Sequence, residues 1–232
     1  MSNLNQIIEA QQPLLAGLAR AEKGEISVPD LKPLSGVLGI LPQKNDLFAT
    51  RVRITGGEIP TAKLDFLAGL TEEIKPSYIH LSSRQNFQFH DVTPANAAKV
   101  IRDCTANGLP FRGGGGDSFR NIAVSSESGI SRESAVDLVP YAKYLTDVIF
   151  DWQEAFSLPR KLKIGVASAN DSYLALRQDL GFVEAYKKGK FGFTVYGGGG
   201  FGRNAAVALK LLDFITPDDL ARAARAMGEL FA

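Results

Sequence analysis

Three short stretches of this 232-residue chain place cationic or hydrogen-bonding side chains at alternate positions with an apolar residue between: Arg51-Val-Arg53, Gln88-Phe-His90 and Lys161-Leu-Lys163. In an extended strand successive side chains point to opposite faces, so each triplet sends two polar groups to one side and one apolar group to the other. Such strands suit the wall of an anionic pocket. The formal net charge is only +1. Positive charge at the triplets is therefore a local feature with a local anionic partner, not the broad basic footprint of a nucleic-acid binder.

No apolar run approaches the roughly 20 residues of a transmembrane helix. The start, Met1-Ser-Asn-Leu-Asn, lacks the charged opening and apolar block of a signal peptide, so the cytoplasm is the expected address and no membrane partner is expected. Cys104 is the only cysteine, which excludes an internal disulfide and any metal or iron-sulfur site built from several thiolates of this chain alone. Near the end of an amphipathic helix, a lone cysteine reads as a small core residue and takes no role.

Helical apolar spacing runs from Leu4 to Ala21, with Pro13 expected to kink or divide it. A Pro-rich connector follows from Val28 to Gln43. Leu47 to Thr55 then alternates as a strand, closed by Gly56-Gly57. A helix is expected over Thr61 to Ile74, strands over Tyr78 to Ser82 and Asn86 to Asp91, and a helix from Pro94 that Asn107-Gly108 terminates. This β-α-β-β-α order is compatible with a ferredoxin-like unit. Past Gly113-Gly-Gly-Gly116 the pattern restarts: a strand at Asn121 to Ser125, a long helix from about Glu133 to Phe156, a strand at Lys161 to Ser168, a short helix at Asp171 to Leu180, a strand at Phe191 to Tyr196, and helical material after Gly197-Gly-Gly-Gly200. Neither glycine run continues as a phosphate-binding motif. Both read as tight turns or places of close approach to a flat cofactor.

Four motifs in order, Arg51-Val-Arg-Ile-Thr-Gly-Gly57, Ser83-Arg-Gln-Asn-Phe-Gln-Phe-His90, Gly116-Asp-Ser-Phe-Arg-Asn121 and Leu158-Pro-Arg-Lys-Leu-Lys163, resemble the siroheme-dependent nitrite and sulfite reductases. The resemblance runs from about Leu41 to Asp219 and corresponds to the N-terminal half of such an enzyme. It implies an α+β, α/β sandwich-like fold: an N-terminal helix and connector over 1–40, a ferredoxin-like subdomain over 41–112, and the first copy of a nitrite/sulfite reductase α/β module over 113–232. In that family siroheme and a [4Fe-4S] cluster share a cysteine sulfur, and six electrons reduce sulfite to sulfide or nitrite to ammonia.

Carried over by position, the resemblance implies that Arg51, Arg120, Lys161 and Lys163 surround the oxyanion. It implies likewise that His80, Ser82, Arg84, Gln88, His90, Asn121 and Arg160 contact the macrocycle or its carboxylates; no residue is assigned as a metal ligand. The chemistry asks for such groups, because burying eight siroheme carboxylates requires cations and hydrogen-bond donors, and cleaving bonds to oxygen requires protons. Arg53 and Arg112 are expected to be structural ion-pair partners.

The cluster cysteines of the family come from a second half, which implies that this chain is not catalytic alone and holds the cluster only with a partner. Three readings stand side by side: a piece of a longer reductase, a natural half-subunit with a cysteine-bearing partner or self-association in its place, and a relative that binds a tetrapyrrole or anion without redox chemistry. A relative of the cobalamin-pathway precorrin monooxygenase is a further alternative. Sulfite and nitrite both stay open as substrates, as do ferredoxin and a flavoprotein as electron donors.

Overall fold

The computed structural model describes residues 2–132 and 136–232. Its described residues divide into two compact units, 2–54 with 58–117, and 55–57 with 118–132 and 136–232.

In the first unit, helix α1 (Ser2–Glu22) runs through Pro13 without being divided. The connector behind it is more ordered than its prolines suggest. It holds a 3-10 turn at Val28–Leu31, the short helix α2 (Lys32–Ser35) and a three-residue strand, β1 (Ile40–Pro42). Pro42 is tolerated because β1 lies at a sheet edge. Strand β2 (Phe48–Arg53), helix α3 (Thr61–Ile74), strands β3 (Tyr78–Leu81) and β4 (Asn86–Val92) and helix α4 (Pro94–Ala106) follow as the alternation and stop signals predict. Thr93 caps α4 by accepting the Asn96 N–H at 3.2 Å.

The antiparallel sheet has the order β1-β2-β4-β3. Thr50, Val52, Phe87 and Phe89 form its inner face, and the apolar side chains among them share one core with Leu14 and Leu18 of α1, Leu67 and Leu70 of α3, and Val100 and Ile101 of α4. The strand beside β2 that would complete a β-α-β-β-α-β unit thus comes from in front of the unit, as β1, rather than from behind it.

In the second unit the sheet order is β5-β6-β7-β8-β9, parallel through β5 (Ala123–Val124), β6 (Ile164–Ala167) and β7 (Leu180–Lys187), antiparallel through β8 (Lys190–Gly197) and β9 (Leu209–Ile215). Several expectations are corrected here. The long helix is α5 (Val139–Phe150), followed by a separate 3-10 turn at Gln153–Phe156, and Glu133 to Ala135 lie outside the described residues. The expected helix over Asp171 to Leu180 shrinks to α6 (Tyr173–Leu176), because Leu180 already pairs with Ile164 in the sheet.

The material after Gly200 first forms β9 and only then helix α7 (Leu220–Phe231). Strand β9 leaves Leu209, Leu211 and Leu212 exposed, at 74%, 53% and 49%, so it shows no alternation that would mark it as a strand. Among the described residues, no helix is long and apolar enough to cross a membrane.

The glycines of 113–116 serve backbone packing. A Cβ on Gly114 would stand 2.9 Å from the carbonyl oxygens of Arg51 and Phe111 and 3.0 Å from Gly39 Cα, so only glycine lets these three segments meet.

Candidate anion-binding site

In the first unit, Arg51 on β2 faces Gln88 on β4, which faces His80 on β3. Residues directly opposite in an antiparallel sheet share a face. This row, with Arg53 and Asn86 to one side and His90 and Tyr78 to the other, makes the outer face polar. The alternation in Arg51-Val-Arg53 and Gln88-Phe-His90 is what separates these groups from the core.

Arg51 is held as a fork. Its Nη1 donates to the Gly114 carbonyl at 2.9 Å and its Nη2 to Gln88 Oε1 at 3.2 Å. Its Nε is buried with no partner. Burial lowers the pKa of the guanidinium from the ordinary arginine value; arginine nonetheless stays charged in proteins. Arg53 is 1% exposed and donates from Nη1 to the Arg112 carbonyl at 3.2 Å, a structural hydrogen bond to backbone.

His90 stacks on Tyr78, ring centroids 4.4 Å apart, and has His80 edge-on at 6.1 Å. Its Nδ1 lies 3.1 Å from Gln43 Nε2, while its Nε2 is buried and unpartnered. Its pKa is lowered, first by burial, then by the neighbouring His80 and Arg51 charges, against the opposing pull of Asp91. His80 itself is exposed. Ser82 accepts the Asn86 N–H at 3.1 Å and so builds the β3–β4 turn, where Arg84 sits half-buried.

In the second unit, Phe119 and Leu162 meet across a parallel bridge, both fully buried. The Arg120 N–H donates to the Leu162 carbonyl at 2.8 Å, which sets Arg120 beside the Lys161-Leu-Lys163 segment at the amino ends of β5 and β6. Lys161 is exposed and Lys163 half-buried, flanking Leu162 as the alternation predicts. The Lys163 ammonium is 2.6 Å from Asp179 Oδ2, and the same oxygen accepts the Lys163 N–H at 2.8 Å. Asn121 is buried and Arg160 exposed. At the carboxyl ends of the same strands, Ser125 donates to Asp171 Oδ2 at 2.7 Å with Ser168 3.1 Å away.

The structure therefore groups Arg51, His80, Gln88 and His90 on one face, with Ser82 and Arg84 at its turn, and Arg120, Lys161 and Lys163 on adjacent segments of the other unit. Gln43, Tyr78 and Asp179 escaped the sequence reading. Period-two spacing from His80 would have found Tyr78. Gln43 and Asp179 carry no local signal, since each matters only through a partner distant in sequence.

A thiolate site is not available. Cys104 is fully buried in α4, and burial, with the nearby Asp103 charge, raises its pKa from the ordinary thiol value. Among the described residues, no group of three or more His, Cys, Asp or Glu could hold a metal ion.

A family model described as "Nitrite and sulphite reductase 4Fe-4S domain" matches residues 115–232, and one described as "Nitrite/Sulfite reductase ferredoxin-like half domain" matches residues 41–107. The ferredoxin--nitrite reductase of Leptolyngbya laminosa is 30% identical over 186 residues, covering 77% of this chain and 36% of that protein. The hemoprotein beta-component of the NADPH sulfite reductase of Acidithiobacillus ferrooxidans is 27% identical over 180 residues, covering 68% and 32%. This chain thus spans about a third of the length of these relatives. The solved NirA protein of Mycobacterium tuberculosis superposes with a TM-score of 0.79 at 20% identity, covering 96% of this chain and 46% of that one, a likeness of fold.

Proposed function

This chain belongs to the nitrite and sulphite reductase family, and from that premise we propose that it supplies cationic side chains and part of the siroheme cradle for reduction of nitrite or sulfite. The observation that carries the reading is the polar sheet face, where Arg51 Nε and His90 Nε2 are buried without partners. Buried polar groups are normally paired, so two orphans on one face mark a place for an acceptor.

The residues present suit siroheme. Arg51, His90 and Gln88 would meet its carboxylates, and the turn residues Ser82 and Arg84 would border it, with His80 at the open edge. When bound, siroheme supplies the iron at which the oxyanion is reduced. The chain's own part is to bring charge and protons: in the second unit Arg120, Lys161 and Lys163 carry positive charge for an oxyanion, and a lysine ammonium can pass a proton through water. Asn121 and Arg160 adjoin these cations along the chain and are offered as macrocycle contacts.

The residues present do not suit a [4Fe-4S] cluster, since the one thiol is sealed in a helix core. A cysteine-bearing second half is the partner a cluster requires, and a second copy of this chain could replace it only for a siroheme or anion site without the cluster; the exposed leucines of β9 favour such a partner. Ferredoxin, which the nitrite reductase relatives carry in their names, is the proposed electron donor.

The test is co-production with a cysteine-bearing half in a host that makes siroheme, followed by gel filtration and a visible absorption spectrum. Soret and red bands that co-elute and are lost in Arg51→Gln are expected. A stable pair without bands overturns the reading.

A further inference from the structure

The register between β2 and β4 breaks once. Phe48 faces Val92 and Thr50 faces Phe89, so His90 and Asp91 together stand against the single Ala49. Asp91 absorbs the extra length in the left-handed region, φ 56°, which aspartate tolerates better than most residues. Bulges of this kind interrupt a ladder and re-aim side chains. Here the Asp91 N–H goes to Gln43 Oε1 at 3.0 Å.

That contact orients the Gln43 amide, because only its oxygen can accept an N–H. The atom 3.1 Å from His90 Nδ1 is then the amide nitrogen, which donates and does not accept. Nδ1 is therefore the acceptor, and a neutral His90 carries its proton on Nε2. The Tyr78 hydroxyl, 3.0 Å from the same Nδ1, can donate as well as accept and so is compatible with a bare Nδ1. The protonated nitrogen is the one that is buried and has no partner.

We propose that Gln43 holds His90 in its Nε2-protonated form, making that N–H a standing hydrogen-bond donor to a carboxylate or oxyanion on this face. The class of acceptor rests on the reading given above; the tautomer does not. Gln43 is a positioning residue. It touches no ligand and acts through the ring it orients, while the bulge at Asp91 supplies the N–H that orients Gln43. Burial and the neighbouring charges of His80 and Arg51 help keep the ring neutral.

The chain has two histidines, so long-range proton–nitrogen spectra of the full chain with 15N-labelled histidine show two rings, assigned with His80→Asn. The wild type is expected to show His90 with its proton on Nε2 and a bare Nδ1. In Gln43→Glu the carboxylate can accept from both the Asp91 N–H and an Nδ1–H, so the proton is expected at Nδ1. Gln43→Met is expected to leave an unlocked mixture. A wild-type proton on Nδ1, or a distribution unchanged in either variant, overturns the proposal, and the wild-type and methionine spectra decide should the glutamate variant fail to fold.

Uroporphyrin, an octacarboxylate porphyrin, is the probe for the donor role. It is expected to shift the wild-type Hε2 signal and to bind about tenfold more weakly to Gln43→Glu, the loss of one charge-assisted hydrogen bond. If the tautomer responds to substitution while the porphyrin moves neither ring, the anion reading of this face falls and the Gln43–His90 lock stands.

Discussion

Asp179 Oδ2 holds Lys163 twice, by its ammonium at 2.6 Å and by its backbone N–H at 2.8 Å. One carboxylate oxygen thus holds both the tip of the side chain and the backbone N–H of the same residue.

Asp179→Asn keeps an oxygen for the backbone N–H and removes the charge that detains the ammonium. With both side chains 21% exposed, the pair contributes at most about 1 kcal/mol after screening. Nitrite or sulfite is therefore expected to bind up to roughly fivefold more tightly, read by calorimetry. The gain should vanish in a Lys163→Ala background, since a general field effect would survive there and a direct one would not.

Gly114→Ala places a methyl group against two carbonyl oxygens at 2.9 Å, and the strain is expected to cost about 1–3 kcal/mol in denaturant unfolding. Gly200→Ala is the contrast. Nothing lies within 4 Å of a Cβ there, and a change within about 0.5 kcal/mol is expected.

Arg51→Lys retains a positive charge but loses the fork that spans the Gly114 carbonyl and Gln88. The two are not interchangeable at such a site. A loss of about 1–3 kcal/mol in stability is expected, together with loss of the siroheme bands from the co-produced pair. Full retention of both would show that charge alone suffices.

How far these features could be read in advance follows from how local they are. Strand β2 through helix α4 was legible because alternation, Asn107-Gly108 and Pro94 all act within a few residues. Strands β1, β7 and β9 were not. Three residues ending in Pro42 carry no period, and β7 went unassigned, its first residue taken into the expected helix because Leu180 continues the apolar spacing of α6 and the rest given no element. Strand β9 is defined by pairing with β8 rather than by burial. The same divide runs through the site: Arg51, Gln88 and His90 stood out by spacing, whereas Gln43 needs Asp91 and Asp179 needs Lys163, pairings set by register.

Cys104 gives a prediction in pH. Its folded pKa is raised, mainly by burial, so the unfolded chain ionises first. Stability is full below the ordinary thiol value and falls as pH rises above it. Cys104→Ala should remove that slope in unfolding curves above about pH 9, and native wild type should resist thiol reagents until it unfolds.

His90 titrates in the opposite sense. Its lowered pKa means that acid protonates the unfolded chain first, so stability present above the ordinary histidine range is lost as pH falls through and below it. His90→Gln should flatten the unfolding profile between about pH 7 and 5 relative to wild type, and an unchanged profile would show that the ring is not desolvated.

Thr55–Gly57, which lies between two stretches of the first unit, belongs to the second. Gly56 donates its N–H to the Ile122 carbonyl at 3.1 Å and stands against Val124 and Val139. A gene break at 117/118 would therefore deprive the downstream product of a piece encoded sixty codons earlier. The second unit is thus discontinuous in sequence, and a downstream segment alone would lack the three residues that pack against its first strand and its long helix.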